Sequence, residues 1–223
     1  MKNYGAFDIL GPIMIGPSSS HTAGAAILGR IARKIVKKDF DKVEFYLHGS
    51  FAHTFRGHGT DKALVAGILD MEPDDENLKH AIEIAENKGI KIIFKIVELK
   101  GAHPNTAKII FYNKDESIGE IIGSSIGGGS IKITSVDGYK VDLTGEYPAV
   151  IIEQHDRTGV ISNVTKILAE NNCNIATMDV TRSSKGKDAF TIIQTDHPIS
   201  DDVVVKLLQI ENVISVRALN PGQ

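Results

Sequence analysis

Three short runs in the first half of the chain concentrate hydroxyl, imidazole and amide groups in turns shaped by glycine or proline. They are Gly16-Pro17-Ser18-Ser19-Ser20-His21-Thr22, Gly57-His58-Gly59-Thr60-Asp61 and His103-Pro104-Asn105-Thr106. The first two stand directly before helix-like patterns, where free N–H groups and the helix dipole favour an anion the size of a carboxylate. Ser18, Ser19, Ser20, Thr22, Gly59, Thr60, Asp61 and Asn105 are therefore candidate substrate-binding residues. His58, His21 and His103 are candidate catalytic residues, because imidazole takes and gives protons near neutral pH. Which of the three carries the proton stays open. The bland alternative for any one run is helix capping. Glycines on both sides of His58 set it apart, since they let a backbone and imidazole approach a ligand closely. His48 and His53 are weaker candidates, and His80 reads as an exposed helix residue. Gly11 and Gly16 have the spacing of a phosphate loop, but Pro17-Ser18 replaces the required Lys-Ser/Thr pair, which excludes nucleotide hydrolysis.

A fourth constellation lies in the last third. Gln154-His155-Asp156-Arg157-Thr158-Gly159-Val160 leads into a helix pattern, and Asn171-Asn172-Cys173-Asn174-Ile175 follows it. Backbone N–H groups at that helix start suit a carboxylate, while Asp156 and the amides of Asn172 or Asn174 suit an ammonium. His155, Asp156, Gly159, Val160, Asn172 and Asn174 form a candidate effector site for a small amino acid. The alternative is that His155 and Asp156 only cap the helix.

The elements that carry these turns follow from periodicity. Ile27, Leu28, Ile31 and Ile35 recur at helical spacing, which predicts a helix from about residue 21; further helices are expected over 61–69 and 77–87. Strands are expected over 42–47, 90–97, 107–112 and 130–136, with a loop at Gly127-Gly128-Gly129. Together these give an α+β chain whose N-terminal α/β domain has a mixed or antiparallel sheet. Thr144-Gly145-Glu146-Tyr147-Pro148 marks the boundary, dividing the chain into 1–145 and 146–223. Beyond it come a strand at 149–153, a helix at 160–171, strands at 174–182 and 188–195, a helix from Ser200 through 208 and a strand at 213–219. This βαββαβ order is the ferredoxin-like arrangement.

Composition narrows the function classes. The 223 residues suffice for two cores, and a net charge of -3 offers no global attraction to nucleic acid or an acidic membrane surface. No apolar run approaches a membrane span, and Asp8, Gly11 and Pro12 interrupt the N-terminal apolar stretch, so no export signal is read and a cytoplasmic location is expected. The single cysteine, Cys173, excludes an internal disulfide and a thiolate-built metal site made by this chain alone; no metal ligands are assigned to it.

The segment from Pro148 to Asn220 resembles the ACT domain, whose acid-or-amide loop opens the first helix and whose Asn-Ile begins the second strand; Thr158 stands where many relatives have proline. Residues 17–22, 57–61 and 103–105 resemble the Pro-Ser-Ser-Ser-His-Thr, Gly-His-Gly-Thr-Asp and His-Pro-Asn motifs of the β subunits of iron–sulfur-dependent L-serine dehydratases. The resemblance implies a lyase, an L-serine ammonia-lyase that eliminates water from L-serine and yields pyruvate and ammonia. It implies a partner alpha subunit holding a 4Fe-4S cluster, with iron as Lewis acid on the departing hydroxide. It also implies ACT-mediated self-association, with a small amino acid bound between the first loop of one copy and the second strand of its neighbour. A non-catalytic amino-acid-binding regulator is the alternative.

Overall fold

Helix α1 (Gly24–Val36) forms because Ala25, Leu28, Ala32 and Ile35 repeat on one stripe, and each is buried. The chain is seen in a computed structural model that describes residues 13–222, so Gly11 of the phosphate-loop spacing lies outside the described residues. After α1 come β1 (Lys42–Leu47), α2 (Gly49–Thr54), α3 (Thr60–Ile68), a 3-10 turn (Leu78–His80) and α4 (Ala81–Asn87). Then follow β2 (Lys91–Ile96), β3 (Thr106–Asn113), β4 (Glu116–Gly127), β5 (Ser130–Val136) and β6 (Tyr139–Leu143). The sheet order is β2-β1-β3-β4-β5-β6; β1 and β2 are parallel, while β1 with β3, β3 with β4 and β4 with β5 are antiparallel. Phe45, Phe51, Phe111, Leu28 and Leu64 are fully buried in this unit, each worth roughly 1.5–3 kcal/mol of hydrophobic stabilisation.

The helix expected from residue 21 begins as an α-helix only at Gly24. Before it, Ser19–Ala23 form a wider π-type turn, entered from Ser18 in extended conformation. The chain also forms α2, β4 and β6, which periodicity did not reveal. β4 was hidden by its glycines, and packing accounts for two of them. A Cβ on Gly119 would lie 2.6 Å from Val36, and one on Gly123 would lie 2.6 Å from Leu28; one on Gly24 would strike Ser125 Oγ. Residues 119, 123 and 125 of β4 thus meet residues 36, 28 and 24 of α1 in reverse order. The helix spans about 18 Å over this stretch and the strand about 20 Å, so the two run antiparallel in close contact. Helices α1 and α3 approach just as closely, since a Cβ on Gly67 would lie 2.1 Å from the carbonyl oxygen of Ala26.

The described chain divides into two compact units, one made of residues up to 138 with 142–144, the other of 139–141 with 145 onward. The second unit contains β7 (Ala149–His155), α5 (Val160–Glu170), β8 (Ile175–Arg182), β9 (Asp188–Thr195), α6 (Asp201–Leu208) and β10 (Val213–Leu219). Its sheet order, β10-β7-β9-β8, is the ferredoxin-like one, with β7 and β9 central. Val150, Ile152, Ile193, Val164, Leu168, Val203 and Leu207 join one sheet face to both helices. Ser200 caps α6 by accepting from Val203 N–H, as its sequence position predicts. Among the described residues no helix is long and apolar enough to cross a membrane.

Candidate functional site

The turn before α1 is held by its own first residue. Ser18 Oγ accepts a hydrogen bond from His21 N–H at 3.1 Å, and Ser18 O accepts from Thr22 N–H at 2.9 Å. Ser19 O accepts from Gly24 N–H, and Ser19 and Ser20 are half-buried within the turn. This geometry aims the His21 ring between two other elements. Its Nε2 lies 3.0 Å from Ser50 Oγ on α2, and its Nδ1 lies 3.4 Å from Ser18 Oγ. Phe51 meets the ring edge-on with centroids 5.3 Å apart, and the His58 ring stands at 4.9 Å, almost perpendicular. Burial holds the His21 pKa below its ordinary value, and the neighbouring His58 lowers it further.

The second run is tied to the first by Thr22 Oγ1, which donates to His58 O at 3.2 Å. Gly59 takes the left-handed conformation at φ 70° and starts α3 with open space above it. His58 is exposed, and its imidazole makes no hydrogen bond to the described residues, so the ring is accessible to a ligand. Thr60 is fully buried and its hydroxyl meets no partner among the described residues. Burial raises the Asp61 pKa, opposed by the hydrogen bond that Asp61 Oδ1 accepts from Lys62 N–H at 2.8 Å.

The third run is joined through backbone. Pro104 O accepts from Phe51 N–H at 3.4 Å, and Gly49, at φ 57°, permits this approach because a Cβ there would lie 2.6 Å from the same oxygen. Asn105 O accepts from Ser125 N–H at 3.0 Å. His103 is exposed and its Nδ1 accepts from Asn105 N–H at 3.2 Å, so this imidazole is engaged locally and is not among the ring contacts of His21. Thr106 Oγ1 donates to His103 O at 2.6 Å and lies 2.7 Å from Ser124 Oγ. The structure therefore brings His21, His58, Ser18 and Thr22 together and attaches the His103 turn through α2. His48 and His53 are occupied with backbone: His48 Nδ1 accepts from Leu99 N–H, and His53 Nδ1 lies 2.6 Å from Gly49 O.

The profile of the serine dehydratase beta chain family matches residues 5–88, and the ACT domain profile matches residues 149–212. A probable L-serine dehydratase beta chain from Bacillus subtilis is 43% identical over 97% of this chain and 98% of its own length. This chain belongs to the L-serine dehydratase beta chain family. The L-serine dehydratase beta chain of Peptoniphilus asaccharolyticus is 40% identical over the same shares, 97% and 98%. A D-3-phosphoglycerate dehydrogenase from Bacillus subtilis is 27% identical over 88% of this chain but over only 37% of its own length.

In this beta chain the ACT-type loop is braced by the β8–β9 hairpin. Asp156 Oδ2 accepts from Gly186 N–H at 3.0 Å and faces Arg182 at 3.6 Å; Arg157 donates to Gly186 O at 2.9 Å. His155 Nδ1 lies 2.8 Å from Asp188 Oδ1. Gly159, at φ 93°, caps α5, and Val160 behind it is buried. Asn174 Nδ2 donates to Asp196 Oδ2 at 2.7 Å, and Asn172 takes a left-handed turn at φ 55°. These two groups of residues are far apart. His155 pairs with Asp188 and Ile175 with Thr195, opposite ends of β9 that are about 23 Å apart. One small amino acid cannot touch Asp156 and Asn174 of the same copy.

Sequence reasoning missed several residues. Ser50 and Phe51 sit in the unrecognised α2, and Ser125 in the unrecognised β4. Ser50 follows a strand directly through His48-Gly49, a strand-to-turn signal that was available. Gln154 and Thr191 are 2% and 0% exposed, with Gln154 Oε1 and Thr191 Oγ1 meeting no partner among the described residues.

The residues of this chain do not fit a 4Fe-4S cluster, which takes three or four thiolates. Cys173 is its single cysteine, lies in the second unit and points its thiol at Asn171 O, 3.6 Å away. Burial pushes that thiol pKa up, the opposite of what a metal-binding thiolate needs.

Proposed function

We propose that this beta chain works with a cluster-bearing alpha chain to dehydrate L-serine, giving aminoacrylate that tautomerises and hydrolyses to pyruvate and ammonia. The observation that carries this reading is the pairing of His21 and His58 over the serine-rich helix start. The full-length match to beta chains favours a catalytic subunit over a stand-alone regulator. The work divides between residues 1–145, which handle substrate, and 146–223, which sense an amino acid, and we place the enzyme in the cytoplasm.

Within this reading, the hydroxyls and N–H groups of Ser19 and Ser20 receive the substrate carboxylate, with Gly59 and Asn105 bordering the site, while Ser18 and Thr22 are committed to holding the turn and Thr60 is fully buried behind it. His58 is the better proton carrier. Its ring is exposed and makes no hydrogen bond to the described residues, whereas His21 is held on both nitrogens and His103 on one. Lowered basicity at His21 keeps it neutral, and with both nitrogens facing serine hydroxyls it serves to seat the His58 ring beside it. The ACT module pairs with a second copy, and its loop binds a regulatory amino acid.

Co-expression with the alpha chain without oxygen, followed by a pyruvate assay, tests the reading. His58→Ala is expected to lower kcat/KM by at least about tenfold, the loss of one productive interaction, with no change in melting temperature. Unchanged kinetics in His58→Ala would remove His58 from the mechanism, and a wild-type complex inert toward serine would remove the whole reading.

A further inference from the structure

We infer that Ser50 is a positioning residue for His21, holding the imidazole as its Nε2–H tautomer. The inference deepens the proposed function and rests on reading the His21 turn as part of the active site. A neutral imidazole has one donor nitrogen and one acceptor nitrogen, and the hydrogen bonds around it decide which is which. Here each nitrogen faces a serine hydroxyl, Ser18 Oγ at 3.4 Å from Nδ1 and Ser50 Oγ at 3.0 Å from Nε2.

The choice between the two arrangements follows from Ser18. Its oxygen already accepts the His21 backbone N–H at 3.1 Å as the cap of the turn. Its hydroxyl proton needs an acceptor, and His21 Nδ1 is in reach. Nδ1 then accepts, and the ring proton resides on Nε2 and is donated to Ser50 Oγ over the shorter of the two contacts. Ser50 itself is fixed independently of His21. Its carbonyl accepts from Thr54 Oγ1 at 2.9 Å within α2, and the flanking residues Gly49 and Phe51 are seated against Pro104. The hydroxyl is thus delivered to the imidazole by an element anchored to the His-Pro-Asn turn, so Ser50 couples two of the three motifs to a single ring orientation. Phe51 and His58 pack against that ring and limit its rotation.

Nitrogen-15 NMR of the full chain at about pH 8, where the imidazole is neutral, reads the tautomer directly from the two ring-nitrogen shifts. Wild type should show His21 protonated at Nε2, Ser50→Ala a mixture of both tautomers, and Ser50→Thr the wild-type pattern restored. In the complex with the alpha chain, Ser50→Ala should lower kcat/KM about tenfold and Ser50→Thr should recover most of it. A wild-type ring protonated at Nδ1, or a Ser50→Ala ring with the wild-type tautomer, would overturn the assignment. A wild-type complex that fails to dehydrate serine would count against the proposed function instead, because the spectra decide the Ser50 question without catalysis.

Discussion

His21 is neutral over a wider pH range than an ordinary histidine because its folded environment resists a positive charge, first by burial and then through His58. The sign of the consequence follows from linkage. In the unfolded chain His21 takes its proton near pH 6.5, while in the folded chain it does so only at lower pH. Between those two points the unfolded state binds more protons, so this residue makes no contribution above about pH 6.5 and destabilises the fold as pH drops below it. An NMR titration should place the His21 midpoint below the usual histidine range. His58→Gln should move it upward by only part of the displacement, since burial is the larger cause. A wild-type midpoint at or above the ordinary value would contradict the half-buried, neutral ring. Asp61 is displaced in the other direction, also by burial, so a neutral imidazole and a less acidic carboxyl occur in neighbouring motifs. The residue types of these motifs were legible in the sequence because three runs that combine glycine or proline with imidazole and hydroxyls in one domain exceed what helix capping alone requires. Ser50 was not, because an isolated serine announces nothing until the strand and turn that carry it are placed.

At the level of elements, the periodic segments were readable and the glycine-bearing ones were not. Helix α1 declares itself through helical burial and β5 and β10 through partial alternation, whereas β1, β7 and β9 are short, nearly continuous buried runs. In β4, Gly119, Gly123 and Gly127 read as loop punctuation, yet the first two exist to let α1 lie close on the sheet. Helix α2 has only six residues, too few for a helical pattern to emerge. Close packing at glycine gives a graded test. Alanine at Gly67 would set its Cβ 2.1 Å from Ala26 O and 2.6 Å from Arg30 N, both backbone atoms that cannot rotate away. Alanine at Gly123 would meet the Cδ1 atoms of Leu28 and Ile133, the mobile ends of two side chains. Gly67→Ala gains about 1 kcal/mol of helix propensity but loses about 1–3 kcal/mol or more to overpacking, and the backbone clash places it at the high end. Urea denaturation followed by circular dichroism should therefore show Gly67→Ala clearly destabilised, and more so than Gly123→Ala. Equal stability of the two variants would mean that α1 and α3 can separate at little cost.

At the scale of the whole chain, this subunit is chemically incomplete on its own. One cysteine cannot assemble a 4Fe-4S cluster, so the purified chain incubated with iron and sulfide should develop no stoichiometric cluster absorbance and dehydrate no serine. The ACT-type unit presents the same kind of incompleteness. Its edge strand β8 is largely exposed, with Met178 and Val180 at 44% and 41% exposure, and an open strand edge is a template for pairing with another chain. Asp156 and Asn174 stand at opposite ends of the sheet, so a ligand using both must draw one from each of two copies. Light scattering of the full chain is accordingly expected to give a dimer or larger assembly, and calorimetry with L-serine should give binding heat. Asn174→Ala should raise the Kd read from that titration by at least about tenfold, one lost charge-assisted contact, without altering the mass. Both Asp156 and Asn174 also make a contact within the unit, with Gly186 N–H and with Asp196 Oδ2, so each variant is read beside its melting temperature. A dimer without heat would leave the unit as a structural joint, and a monomer that takes up no serine would remove both pairing and sensing from the proposed function.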